Sequence, residues 1–488
     1  MLNQFTLLNL ITFFFLISPS ILIAQDENLL YENHIYKDNI KSVKLNSNGN
    51  YNFGTQNGVL GVKAAQPIVR LGRDQLFFSF DEMGEDAKNY VYTITHCNAD
   101  WTPSNLTEMD YIDGFQEEDI DEFEYSFNTY SIYTHYNLIL PNEDMRFTKS
   151  GNYLLKVYED EDEKELAITR RFMVVEPIMK IFADMVRPAM VNKIKTHHEI
   201  DFVVSHEDFE VRNPRTELSA TVLQNGRWDN AITEIRPQFT RREEQLFTYQ
   251  DKIVFPAGKE FRPLDLRSFK YGSLDIQQVN LFNENYEVTL HPDKKRFSQV
   301  HLDVFDLNGD FVIENRDNLN FRIRQQNTQN IRDLERTNAE LRGQGLDTIA
   351  VSFGNPGISY DVINTFEASE HDIRSEYGSV LFTLYSPTEY YDSEVYIFGG
   401  LSDWQLKPEF KMVYNPQISS YVCKPELKQG YYDYYYVTVS KKDRKMEIED
   451  TEGSWFETEN TYTILLYYRP FGVRYDKLVG VGTFSSRF

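Results

Sequence analysis

Residues 394–439 read EVYIFGGLSDWQLKPEFKMVYNPQISSYVCKPELKQGYYDYYYVTV, and this stretch decides the fold class. Val395 and Ile397 alternate with Tyr396 and Phe398, so 394–398 is a strand, stopped by Gly399-Gly400. A turn carrying Trp404 follows, then a strand over 410–414 broken by Asn415-Pro416. Further strands are expected over 419–423 and 431–439, and the apolar run 460–468 closes the set. The pattern is that of a small antiparallel sandwich. The chain as a whole reads as all-β: tandem immunoglobulin-like or early-set β-sandwiches with one short helical insert.

Working outward, 488 residues exceed a single core and imply roughly two to four domains. A hydrophobic fraction of 41%, with 15% aromatic, is enough to fill those cores, which excludes a largely disordered chain. The net charge of −25 argues against nucleic acid and against anionic membrane surfaces, both of which would repel it. Cys97 and Cys423 stand far apart in sequence, so neither a disulfide nor a cysteine-based zinc site is expected. Residues 1–24 form an apolar segment ending in Leu22-Ile23-Ala24, read as a signal peptide cleaved before Gln25, although no Lys or Arg precedes Lys37. No other apolar run is long enough to span a bilayer, and no cysteine marks a lipid anchor, so a soluble exported chain without direct membrane insertion is expected. Counting back by twos from Phe488 gives Ser486, Phe484, Gly482 and Gly480, which is not the alternation of a lipid-facing strand.

Composition and punctuation divide the remainder into an N-terminal β-sandwich at 25–177, a middle β domain at 178–325, a helical and loop insert at 326–375, and a C-terminal early-set-like sandwich at 376–488. Gly151-Asn152-Tyr153 and Gly430-Tyr431-Tyr432 repeat one device at a strand entry. It is similar to a tyrosine corner, in which the phenol bonds back to upstream backbone. Tyr153, Tyr432 and Tyr434 are therefore expected to be structural, together with Trp404. Leu307-Asn308-Gly309-Asp310 has Asn-Gly at its centre and reads as a tight hairpin turn after a strand at 301–306.

The search for chemistry returns no catalytic, metal-binding or cofactor-binding constellation. No phosphate loop, dinucleotide fingerprint, nucleophile elbow, zincin motif or EF-hand loop occurs. His197 and His198 point to opposite faces of a strand, and both are expected as solvated strand-end residues, as is His206. Glu159–Glu163 reads as a solvated hairpin tip, and Glu117–Glu122 as a charged loop face. The aromatic run 431–436, with Trp404 and Trp455, fits a core face better than a carbohydrate platform. The excursion from Cys97 to Tyr130, CNADWTPSNLTEMDYIDGFQEEDIDEFEYSFNTY, is far longer than a hairpin connection needs. It is either a lid over its own sheet or a docking surface, and Trp101, Tyr111 and Phe115 are its candidate partner contacts.

The segments CNADWTPSNL, YIDGF, FNTY, YTHYNLILPNE, SGNYLLKVYED and TRRFMVVE in the first domain, with VYIFGGLSDWQ, LKQGYYDYYYV, EGSWFETENTYTILLYYRP and RYDKLVG in the last, resemble the plug protein of the type IX secretion system. The middle matches loosely and the insert does not align. The resemblance implies a periplasmic, non-enzymatic protein on the inner side of the outer membrane, whose partner is the large translocon barrel and which blocks that barrel when no cargo passes. It brings no catalytic residue, metal or cofactor. The last domain separately resembles early-set, glycogen-binding-like sandwiches through Gly399–Trp404 and the Gly-x-Tyr-x-Tyr run. The alternatives that remain are therefore an envelope carbohydrate-binding protein or a secreted surface adhesin. The oligomeric state is not legible.

Overall fold

The strand Gly151–Asp160 buries Tyr153, Leu155 and Val157 in one phase, as its alternation predicts, and pairs with Lys164–Val175 on one side and Tyr90–Cys97 on the other. This is a computed structural model, and it describes residues 29–47, 53–56, 59–62, 66–160, 164–207, 209–300, 306–317 and 371–486. The signal-peptide reading, the strand beginning at 301 and nearly all of the insert lie outside the described residues.

The first sandwich faces one sheet, in the order His34–Ile35, Lys164–Val175, Gly151–Asp160, Tyr90–Cys97, Glu117–Asp119, against another, Glu122–Tyr125, Tyr133–Leu140, Leu76–Met83, Ile40–Ser47. Phe78, Phe80, Tyr92, Tyr136, Tyr153 and Phe172 fill the space between, and Phe80 stacks on Tyr136 at 4.8 Å.

The second and third sandwiches do not follow the linear division. Thr461–Tyr468, expected to close the last domain, pairs instead with Leu218–Gln224 and with Lys477–Ser485. Its sequence TYTILLYY is apolar on both faces, and Tyr462 through Tyr468 are all buried. Such a strand must lie inside a sheet with neighbours on each side, and Leu218–Gln224 is likewise buried at every position but Ser219. These strands cover the sheet Lys180–Val186, His197–Ser205, Glu244–Phe247, with Phe202 and Phe247 stacked at 4.3 Å between the layers. Conversely, Arg262–Asp265, Ile276–Phe282, Asn285–Leu290 and Phe311–Ile313 leave the middle span. They complete the third sandwich, in which Gly430–Ser440 is central. The boundary between 178–325 and 376–488 is thus crossed in both directions by strand pairing.

Both tyrosine corners form. Tyr153 donates to the Lys149 carbonyl at 2.8 Å and Tyr432 to the Lys428 carbonyl at 2.6 Å, each four residues upstream. Tyr432→Phe should cost about 1–3 kcal/mol, because it leaves that buried carbonyl without its donor; urea unfolding of the full chain measures it. Tyr434 and Tyr436 join Tyr432 in the third core, as the core-face reading required. Asn308 and Gly309 both adopt positive φ (54° and 87°), the turn geometry their sequence predicts. A Cβ on Gly309 would lie 2.3 Å from the Trp404 ring, so the close approach also demands glycine. Trp404 is half-buried, edge-on to Phe398 at 5.5 Å and under the Arg227 guanidinium at 4.8 Å.

Candidate partner interface

The first half of the 97–130 excursion turns inward. Trp101, in the left-handed region at φ 66°, lies edge-on to Trp228 at 5.0 Å, and Arg171 places its guanidinium over both rings at 4.4 and 5.3 Å. The helix Glu108–Tyr111 starts where Thr107 and Asp110 bond reciprocally, and it directs Tyr111 into the first core. There the Tyr111 hydroxyl donates to the Ile94 carbonyl at 3.1 Å, and its ring meets His96 at 5.6 Å and Tyr153 at 6.0 Å. Trp101 and Tyr111 are only 5% and 4% exposed, whereas Phe115 is 62% exposed. The three candidate contacts are therefore not brought together. Two are interior residues of a lid and one is in solvent. Tyr153, Tyr432 and Tyr434, expected to be structural, lie in the cores.

The inward half also forms a joint between sandwiches. Ala99 N–H donates to Asp476 at 3.0 Å, the Tyr467 hydroxyl donates to Asn152 at 2.8 Å, and Glu176 N–H donates to the Leu478 carbonyl at 3.0 Å. A second joint, between the first and third sandwiches, centres on Asp81, which is 0% exposed. Its carboxylate meets His135 Nδ1 at 2.6 Å, the Lys428 ammonium at 2.5 Å and the Tyr377 hydroxyl at 2.5 Å. Lys428 lies 4.3 Å from the Tyr133 ring centroid. The Glu376 carboxylate accepts from the N–H groups of Tyr130 and Ser131 at 2.6 and 2.8 Å.

The second half of the excursion faces outward. After Ile120, buried at the end of the sandwich, comes the short strand Glu122–Tyr125, all four residues of which are exposed. It is followed by Phe127, Tyr130 and Ile132, 56%, 47% and 50% exposed. Tyr130 lies 5.9 Å from Tyr286 of the third sandwich, and Arg374 lies over Phe127 at 4.6 Å, so this apolar surface continues across the joint. Sequence reasoning missed these residues. The alternation EFEY within an otherwise polar loop was the signal that could have found them.

The residues weighed as metal ligands have other uses. His198 is not solvated. It is 0% exposed, its ring bridges the Tyr462 hydroxyl at 2.8 Å and the Phe456 carbonyl at 2.6 Å, and burial pushes its pKa down to about 4. His206 is likewise buried, against the Phe209 carbonyl at 2.8 Å. Glu159 is no solvated tip, since it is 8% exposed and held by Lys37 at 2.5 Å and Lys88 at 3.1 Å. Cys97 and Cys423 are free and buried, and burial pushes the thiols up to about 12 and about 11. Among the described residues no group of three His, Cys, Asp or Glu is placed to hold a metal ion.

The first sandwich coincides with a known domain. Residues 40–176 match the family model described as the type 9 secretion system plug protein first domain. A solved structure, a hypothetical protein from Parabacteroides merdae ATCC 43184, is similar over 94% of this chain and 100% of that one, with a TM-score of 0.77 and 29% identity. No curated protein matches the chain. Over residues 40–176, the chain is thus similar to the first domain of type IX secretion system plug proteins, which supports the resemblance its sequence carries.

Proposed function

We propose that the chain is a non-enzymatic plug, exported to the periplasm and held at the inner side of the outer membrane, which covers the periplasmic mouth of the type IX translocon barrel when no cargo is passing. The match of residues 40–176 to the plug first domain carries this reading. The physical requirement is plain: a barrel wide enough for folded cargo breaches the permeability barrier unless its lumen is covered. Three β-sandwiches tied by buried polar joints make a body suited to covering a mouth without entering the bilayer. Among the described residues no helix is long and apolar enough to cross a membrane. The aromatics that a carbohydrate platform would use, Tyr432, Tyr434 and Tyr436, are spent inside the third core, which weighs against the carbohydrate-binding alternative.

Deleting the gene should leave secretion largely working and make the outer membrane permeable to a large dye or antibiotic, and the barrel should co-purify with a tagged wild-type chain. Unchanged permeability together with no co-purifying barrel would overturn the reading.

A further inference from the structure

We infer that the open edge of the strand Glu122–Tyr125 accepts one added strand: an extended basic segment of the partner, alternating Lys or Arg with apolar side chains. That the partner is the translocon barrel rests on the plug reading above. The strand pairs with Tyr133–Leu140 on one side only, in the register Glu122↔Asn137, Phe123↔Tyr136, Glu124↔His135, Tyr125↔Thr134. Ser126 N–H donates to the Tyr133 carbonyl at 2.8 Å just beyond it. In an antiparallel ladder, bonded and non-bonded pairs alternate. Glu124 and Glu122 therefore share the bonded phase of Ser126, and the N–H and C=O groups of Phe123 and Tyr125 point to the open side. Among the described residues no backbone group bonds that side at Phe123 or Tyr125; the first to do so lies just beyond the strand, where Phe127 N–H donates to the Ile373 carbonyl at 2.8 Å.

The side chains indicate what would fit. Phe123 and Tyr125 lie on the face of Tyr136, with rings 5.8 Å apart and Phe123 5.7 Å from Tyr136. They are 42% and 54% exposed, so an added strand would extend the first core over them. Glu122 and Glu124 alternate onto the other face. Of the neighbouring carboxylates, Glu117 is paired with Lys164 at 2.5 Å. Asp119 also feels the Lys164 charge, whereas Glu118, Asp121, Glu122 and Glu124 form no ion pair among the described residues. Exposed edges usually carry lysine or proline to discourage pairing. This one carries like charges that would repel a second copy laid edge to edge and attract a basic strand. Backbone pairing supplies affinity in such strand addition, and the alternate side chains supply selectivity.

The test uses the full chain and a labelled short peptide alternating Arg or Lys with Val or Tyr, read by fluorescence anisotropy, with a Glu-substituted peptide as control. Wild type should bind the basic peptide saturably and more weakly as salt rises. Tyr125→Pro removes an outward N–H and the half-exposed ring beside Phe123 while taking no bond from the ladder to Tyr133–Leu140, and the pair Glu122→Lys and Glu124→Lys reverses the charge. Each should weaken binding about tenfold or more while the thermal midpoint stays near wild type. In cells, a photoreactive benzoylphenylalanine at position 125 should cross-link the barrel, and the same group at exposed position 191 should not. No saturable binding, or equal binding by the variants, overturns the inference. So does binding that emerges only after Arg322→Glu with Arg324→Glu, because the chain's own residues 320–325, NFRIRQ, would then hold the edge. Concentration-dependent dimers lost in Tyr125→Pro would assign the edge to a second copy and overturn it equally. Full co-purification of the barrel by folded Tyr125→Pro overturns the edge and leaves the plug reading standing. No barrel with wild type removes the plug reading itself.

Discussion

Asp81→Ala should destabilise the full chain by about 3–5 kcal/mol, the usual cost of removing one partner from a buried ion pair. Asp81 and Lys428 are 0% and 1% exposed, and they belong to different sandwiches. Without the carboxylate, the Lys428 ammonium keeps, among the described residues, the faces of Tyr133 and Tyr377 at 4.3 and 5.5 Å, and the Tyr377 hydroxyl is left with Ser42 Oγ at 2.7 Å. Replacing both members, Asp81→Leu with Lys428→Met, should recover part of the loss, because it leaves no unpaired ammonium, while His135 Nδ1 and the Tyr377 hydroxyl still lack the carboxylate. Urea unfolding of the two variants measures both effects. A loss under about 1 kcal/mol for Asp81→Ala would place the cluster among dispensable pairs.

The same cluster fixes a pH dependence. Burial alone would raise the Asp81 pKa, but the Lys428 charge and the bonds from His135 and Lys428 outweigh it, so the carboxyl is held below its ordinary value. A carboxylate whose folded pKa is depressed contributes stability that is present above its unfolded pKa, about 3.9, and is lost as pH falls through the folded value. Acid should therefore weaken wild type below about pH 4, and the doubly apolar variant should lose less over that window.

What was legible in the sequence was local. The Gly-x-Tyr device, the Asn308-Gly309 turn and the alternation of Tyr432, Tyr434 and Tyr436 each depend on residues a few positions apart, and each is found where expected. What escaped depends on distant partners. Thr461–Tyr468 is correctly a strand, but which sheet it enters is decided by Leu218–Gln224, more than two hundred positions earlier. His198 looks like a strand-end histidine until Tyr462, 264 residues away, closes over it. Asp81 and Lys428, separated by 347 residues, carry no local sign of their pairing. The candidate interface divided along the same line. Aromatic content drew attention to Trp101 and Tyr111, although aromatics in a long loop serve equally as anchors of a lid. Only the period-two alternation of EFEY separates an edge strand from such a lid.

Tyr111→Ala tests that division directly and should cost about 3–5 kcal/mol, the range for truncating a large buried aromatic. The residue is 4% exposed, its ring packs on His96 and Tyr153, and its hydroxyl satisfies the Ile94 carbonyl inside the first core. The thermal midpoint should fall, and barrel co-purification should decline only as far as the folded fraction does. Phe115→Ala should behave otherwise. With 62% of Phe115 in solvent and its backbone N–H anchored to the Asp144 carbonyl at 2.9 Å, truncation removes little packing and leaves the strand Ile112–Gly114 paired with Met145–Phe147. Its midpoint should stay near wild type, so a drop in co-purification there would report contact rather than unfolding. If Tyr111→Ala kept its midpoint and lost the barrel, the inward half of the excursion would have to open on docking, and the lid assignment would fail.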